Sequence, residues 1–414
     1  MKKLLFLLLT TAIVVALAMP AGAVDSEFGG YWRTRAFTQK NFSGTDSGTQ
    51  DLTQVDTRGR IFYTAVFSDD LKWVNKFEWN QTWGDTVGGD IGTDGMGIFR
   101  IKNSYANFNM GAWNFMVGLQ PRILARGLVF DDDYAGLVAT YNGPNYSFPI
   151  IWMKVYEGGM GDDANDLDVD FYGIKPNFML GEISLTPFAL YVTSKDASAW
   201  ANLSANEEVG VYFVGFDLDA NLGGASVWVS AAYEGGSVDI APGGAAATLG
   251  VDSVDVSAWL LALGAEIGIP HFELIYATGE DEDTADESEG FYVPGGQSYY
   301  WAEIMGMGMI DNQSSKGSCA NAISNVMAAN VGATFNMGDI QLEADVWYAA
   351  LVEEDKNDND KLGTEVDLKL TYNLVDDLKL EVVGAYLFAD DATTGGGDDA
   401  EDPYEIATRL SLSF

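Results

Sequence analysis

Cationic side chains two residues apart recur early in the chain: Arg33 with Arg35, Arg58 with Arg60, and Arg100 with Lys102. Successive side chains of an extended strand alternate between faces, so each pair places both charges on one face. Lys76 likewise shares a face with Glu78 and Asn80, opposite Phe77 and Trp79. Eleven of the 22 basic residues fall between Arg33 and Arg126, which gathers positive charge into one stretch. The chemistry such residues support is the holding or filtering of charge in water. Catalytic patterns are weaker. The only histidine, His271, follows Ile269-Pro270 at an expected turn, and a Ser-His-Asp site would have to be built on it. Carboxylates are too numerous for any pair to mark glycosidase chemistry, and no phosphate-cradling Gly loop or Cys/His cluster occurs. The chain reads as a non-enzyme.

The elements that would position these charges are short strands. After Lys2 and Lys3, the apolar run 4–18 and the small residues around Ala23 read as a secretory signal peptide, residues 1–23. Beyond it no run reaches the roughly 20 apolar residues of a transmembrane helix. Segments of alternating polarity recur instead, closed on one side by tight turns rich in Gly, Asn and Asp: Ser68-Asp69-Asp70, Met110-Gly111-Ala112, Asn142-Gly143-Pro144-Asn145, Leu180-Gly181-Glu182, Asn221-Leu222-Gly223-Gly224, Gly268-Ile269-Pro270, Met337-Gly338-Asp339 and Val375-Asp376-Asp377. On the other side lie long polar connections, the third over residues 120–133 and the longest over 278–330. Strict alternation of short and long connections predicts an all-β, antiparallel up-and-down transmembrane β-barrel over residues 24–414, with about 18 strands and 16 as the alternative count. The last segment alternates from Tyr404 through Ile406, Thr408, Leu410 and Leu412, and the chain ends on Phe414.

Composition agrees. The 414 residues carry 61 acidic against 22 basic side chains, a formal charge of −39, yet 47% are apolar and 13% aromatic. That balance excludes an acidic disordered tail, and it repels nucleic acid. A lone Cys319 provides no disulfide framework. A cation facing lipid at the bilayer midplane costs roughly 2–4 kcal/mol, so the charged strand faces are assigned to the lumen. Barrel closure places Arg409 of the last strand beside Arg33 and Arg35. On the same rule Asp166, Asp168 and Asp170, and Glu343 with Asp345, are assigned inward as acidic counterparts.

The connection Gln120-Pro121-Arg122 through Arg126 to Asp131-Asp132-Asp133 carries a resemblance. An early basic wall followed by an acidic third loop resembles the general porins of Gram-negative bacteria, and Val117-Gly118-Leu119-Gln120-Pro121 is similar to a motif of the homotrimeric porins of sulfate-reducing deltaproteobacteria. The resemblance implies a cell outer-membrane location and a homotrimer. It also implies a third loop that enters the lumen, with Asp131, Asp132 and Asp133 opposite Arg33, Arg35, Arg58, Arg60 and Arg100. The loop departs from the pattern in its shortness and in its own Arg122 and Arg126. The function expected is passive diffusion of small hydrophilic solutes and ions, without a cofactor. The alternative is a structural or adhesive barrel with an occluded lumen. Acidic connections could bind Ca²⁺ or Mg²⁺ loosely and so bridge to lipopolysaccharide. Asp355, Asn357 and Asn359 imitate a calcium loop but fail it at Asp360 and Val366. The apolar patch Ser298-Tyr299-Tyr300-Trp301 with Met305, Met307 and Met309 needs cover, whether in the pore mouth, on a neighbouring protomer, or against its own loop.

Overall fold

The computed structural model describes residues 24–91, 98–158, 168–194, 208–239, 251–281, 286–292 and 296–414. Residues 1–23 and Asp166 therefore lie outside the described residues. Eighteen antiparallel strands form one closed sheet. In chain order they are β1 (Asp25–Lys40), β2 (Leu52–Ser68), β3 (Leu71–Thr82), β4 (Ile98–Met110), β5 (Trp113–Leu124), β6 (Phe130–Asn142), β7 (Tyr146–Tyr156) and β8, which comes in two halves (Val169–Ile174 and Asn177–Leu180). There follow β9 (Ile183–Ser194), β10 (Val209–Asn221), β11 (Ala225–Asp239), β12 (Ser253–Ile267), β13 (Pro270–Ala277), β14 (Val326–Met337), β15 (Ile340–Ala350), β16 (Lys361–Val375), β17 (Leu378–Ala389) and β18 (Tyr404–Ser413). Pro176 stands at the break in β8, where it removes a ladder donor. A two-residue strand, Glu287–Ser288, runs parallel to β12.

Closure is by β1 on β18, in register from Tyr31↔Ser413 to Lys40↔Tyr404. Phe414 continues that ladder by exchanging backbone hydrogen bonds with Gly30 at 2.9 and 3.2 Å. A closed cylinder satisfies every ladder group without an edge, which is what a strand needs in lipid. The eight tight turns fall where the sequence places them. The long connections are shorter than expected at two sites: β5 continues to Leu124 and β6 begins at Phe130, leaving five residues of the 120–133 stretch between them, and β14 begins at Val326 inside the 278–330 stretch.

Alternation sorts the faces. Trp73, Tyr191, Tyr212, Trp259, Leu274 and Ile406 are exposed on the outside, while Phe171, Phe188, Phe213, Leu260 and Ile275 are buried inside. The interior is therefore not uniformly aqueous. The inner faces of β6 to β17 pack as one apolar cluster with Leu124 at the end of β5 and with Leu128, Val129, Ile304 and Met305 from the connections. Burying each such side chain contributes roughly 1.5–3 kcal/mol.

Candidate functional site

Among the described residues, two connections enter the barrel. The first is the end of the β5–β6 hairpin. Pairing of β4 with β5 stops at Ser104↔Leu119 and that of β6 with β7 at Ala135↔Lys154, whereas β5 and β6 pair with each other as far as Leu124↔Phe130. Residues 120–134 thus leave the wall as a two-stranded ribbon. At the departure Gly118 has φ +129, and a Cβ there would lie 2.5 Å from the Ser104 carbonyl oxygen. The apolar tip needs dry cover and finds it on the inner wall, where Phe130 packs edge-on against Phe171 of β8. Arg126, at φ 56, pairs with Asp219 of β10 and lies 4.7 Å from the Trp228 ring of β11. Lys175 at the β8 break donates to the Ile123 carbonyl at 2.8 Å.

The second is the connection between β13 and β14. It is stitched to the ribbon tip: Ser298 N–H donates to the Gly127 carbonyl at 3.1 Å, Gln297 to the Leu128 carbonyl at 2.8 Å, and Asp131 N–H to the Gly296 carbonyl. From there it crosses the lumen. Tyr299 donates to Glu273 of β13 at 2.6 Å, and Trp301 packs edge-on against Trp347 of β15 with centroids 5.3 Å apart. Ile304 and Met305 donate their amides to Glu365 of β16. Burial and the adjacent Glu273 carboxylate push the Tyr299 hydroxyl well above its ordinary range. The apolar patch that the sequence left without cover is thus packed inside the barrel, with residues 301–306 all buried. Cys319 lies behind it, and burial pushes its thiol up to about 11.

The charged sector lies on β18, β1, β2, β3 and β4, and the second connection reaches it through Met309 and Asp311. Arg35 donates to both oxygens of Asp56 at 2.8 and 2.9 Å and stacks 5.3 Å from the Phe37 ring. Arg58 donates to Asn80 at 2.6 Å, Arg60 to Glu78 at 2.7 Å, and Arg409 to both oxygens of Glu381 at 2.6 and 2.8 Å. Arg33 is only 5% exposed, and its Nε has no hydrogen-bond partner among the described residues. Arg33 and Arg58 are directly opposed across the β1–β2 ladder, as are Arg35 and Arg409 across β1–β18. Like charges so close are tolerable only because Asp56, Glu78 and Glu381 are interleaved with them. Lys76 lies 5.5 Å from the Phe62 ring, and Arg100 faces Glu78 across β3–β4. A cleft of about 340 Å³ at the long-connection end contains Arg33, Arg35, Arg58, Asp56 and Asp85.

The predicted residues are thus only partly brought together. Arg33, Arg35, Arg58, Arg60 and Arg409 form one patch. Lys102 instead binds Asp133 at 2.9 Å, and Asn103 donates to the same carboxylate at 2.5 Å. Asp131, Asp132 and Asp133 are strand residues of β6, paired in register with Ile123, Arg122 and Pro121. Asp133 is therefore engaged with the neighbouring wall. The acid that does face the arginine patch is Asp311, 3.9 Å from Arg58, held by the Tyr300 hydroxyl at 2.7 Å. It lies in an irregular segment with no alternation to announce it. The inward assignment of Asp170 is corrected: Val169 and Phe171 are the buried side chains of β8, and Asp170 shares the outer face with Tyr172. There it accepts from Trp152 at 2.8 Å and pairs with Lys154 at 3.6 Å, beside Asp168. Glu343 and Asp345 do lie on the inner parity of β15, and Asp345 is 2.7 Å from His271 Nε2. His271 is a luminal strand residue of β13 rather than part of a turn. Asp355 accepts the amides of Asn357 and Asn359 at 2.8 and 3.1 Å, a local turn that holds its carboxyl below the ordinary range.

Set against known proteins, the architecture has clear counterparts. No protein-family model matches the sequence, and no curated protein matches it. Among solved structures the chain is similar to Acinetobacter baumannii OccAB1, with a TM-score of 0.57 at 13% identity over 94% of this chain and 96% of that one. It is similar to Pseudomonas aeruginosa OpdK, solved with vanillate, with a TM-score of 0.57 at 12% identity, covering 94% and 98%. The Pseudomonas aeruginosa outer membrane protein OprD gives 0.56 at 12%, covering 94% of each chain. At such identities the shared property is the 18-stranded closed barrel.

Proposed function

We propose that this protein is an outer-membrane channel of a Gram-negative bacterium, through which small hydrophilic solutes and ions diffuse passively. The observation that carries the reading is the arginine patch on β18, β1 and β2, with Asp311 of the β13–β14 connection 3.9 Å from Arg58. Five arginines there stand against the carboxylates of Asp56, Glu78, Glu381 and Asp311, a slight positive excess although the whole chain is strongly acidic. Field in a narrow low-dielectric passage is set by the nearest charges, which favours small anions at this point. Vanillate, present in the OpdK structure, is a suitable test solute. Transport of this kind needs no catalytic residue. The ribbon of residues 120–134 narrows the passage from the β6 to β11 side, and the β13–β14 connection crosses it to reach Arg58 and Arg409. A homotrimer is part of the same proposal through the general-porin resemblance.

The experiment is conductance of the purified protein in a planar bilayer, with the reversal potential under a salt gradient. Discrete current steps with an anion-favouring potential are expected. Changing Arg58 and Arg60 together to Glu is expected to reverse the sign of that potential. The dry packing of β6 to β17 favours the second reading, an occluded structural or adhesive barrel. A correctly folded protein that carries no current would establish it.

A further inference from the structure

Residues 301–310 rest on carboxylates as well as on apolar side chains. Ile304 and Met305 N–H donate to the two oxygens of Glu365 at 2.6 and 2.9 Å, and Glu303 N–H to Asp367 at 3.3 Å. Met309 N–H returns to the Glu303 carboxylate at 2.6 Å. On β18, Glu405 accepts from Gln39 at 2.6 Å, and Gln39 accepts from Asn312 at 3.3 Å. These four acids are almost sealed: Glu365 and Glu405 are 0% exposed, Asp367 5% and Glu303 8%. Asp367 Oδ1 and Glu405 Oε1 have no donor among the described residues.

The surrounding charges do not neutralise them. Glu303 faces Lys369 of β16 and Arg409 of β18, with Glu343 of β15 opposing, and burial holds its carboxyl above the ordinary range. Glu405 faces Arg35 of β1 but also Glu303 and Glu365. Arg35 is already committed to Asp56, and Arg409 to Glu381 of β17. Arg409 also donates to the Met309 carbonyl at 3.1 Å, which ties the segment's backbone rather than its acids. Sealed acids beside one another, with oxygens that lack donors, are relieved by a proton: it removes like-charge repulsion and turns an orphan oxygen into a donor. If the segment lifted away, water would solvate the same acids and no proton would be needed. The seated segment therefore holds more protons than the released one, and by linkage acid favours seating.

We infer that residues 301–310 form a proton-stabilised plug, seated on the Glu303, Glu365, Asp367 and Glu405 cluster when it carries protons and loosened when the cluster is fully ionised. The consequence for transport rests on the channel reading; the seating itself does not. The test follows hydrogen exchange of the Ile304 and Met305 amides in the folded barrel, corrected for intrinsic rates, from about pH 5 to about pH 9. Protection is expected to fall at least about tenfold as pH rises, and conductance to rise over the same range. The E365Q/D367N variant, which cannot ionise there, is expected to keep its acid-level protection and low conductance throughout. E405Q, which leaves the backbone acceptors intact, is expected to flatten the same response and serves if the double variant fails to fold. Constant protection in the unmodified protein, or an unaltered pH response in both variants, overturns the plug. Protection that shifts as expected without current at any pH would defeat the channel reading and leave the plug standing.

Discussion

At the scale of single residues, parity in a strand decides most of what a side chain meets. Arg33, Arg35, Arg58 and Arg60 share their faces because they are two apart, and lipid excludes them from the outer one. The same rule misplaces Asp170, because Val169 and Phe171 claim the inner face and Trp152 with Lys154 satisfies the acid outside. Charge alone does not fix direction near a rim, where snorkelling to water is cheap. Cys319 gives a direct check on burial. With its thiol pushed up to about 11, only a small thiolate fraction exists at neutral pH. A maleimide at about pH 7.5 is expected to label it slowly in the folded barrel and rapidly in denaturant, as read by mass spectrometry. Rapid labelling of the folded protein would show the thiol to be open to water. Asp311, by contrast, had no sequence signal: its place opposite Arg58 depends on the path of an irregular segment and on the Tyr300 hydroxyl.

At the scale of elements, the β5–β6 ribbon shows how far local pattern carries. The connection and its acids are visible in sequence, but strand pairing continues to Leu124↔Phe130 because ladder hydrogen bonds are retained within the ribbon after both neighbours let go. Its inward bend follows from an apolar tip that water would not accept. Gly127 sits at the seam with the second connection. It has φ +95, and a Cβ would stand 2.7 Å from the Ser298 carbonyl oxygen. Gly127→Val combines that clash with an unfavourable backbone region costing about 1–3 kcal/mol. The variant is expected to unseat the tip from the β13–β14 connection while the barrel still closes. Limited proteolysis near Arg126 should accelerate, and single-channel conductance should become noisier. Unchanged proteolysis would mean that the seam contributes little.

At the scale of the whole molecule, the acidic excess and the arginine patch coexist because acids crowd the connections while arginines occupy strands near the closure. Buried apolar side chains line the inner wall from β6 round to β17, so on the proposed channel reading the aqueous route runs past the arginine patch. Replacing residues 301–309 with a Gly-Ser spacer is therefore expected to raise single-channel conductance several-fold while the barrel still folds, as read by circular dichroism. No rise would mean that the narrowest point lies at the ribbon tip. The sequence by itself determined the barrel, the strand count to within two, the turns, the closing strand and the faces of the central arginines. Each depends on period-two patterning and short-range turn chemistry, which neighbours along the chain can specify. Tertiary structure alone decided which connections enter the lumen, that Asp311 faces Arg58, and that Glu303, Glu365, Asp367 and Glu405 meet beneath one segment. Those contacts join residues far apart in sequence, and they are selected by which apolar surfaces can be buried together, a condition that no local pattern encodes.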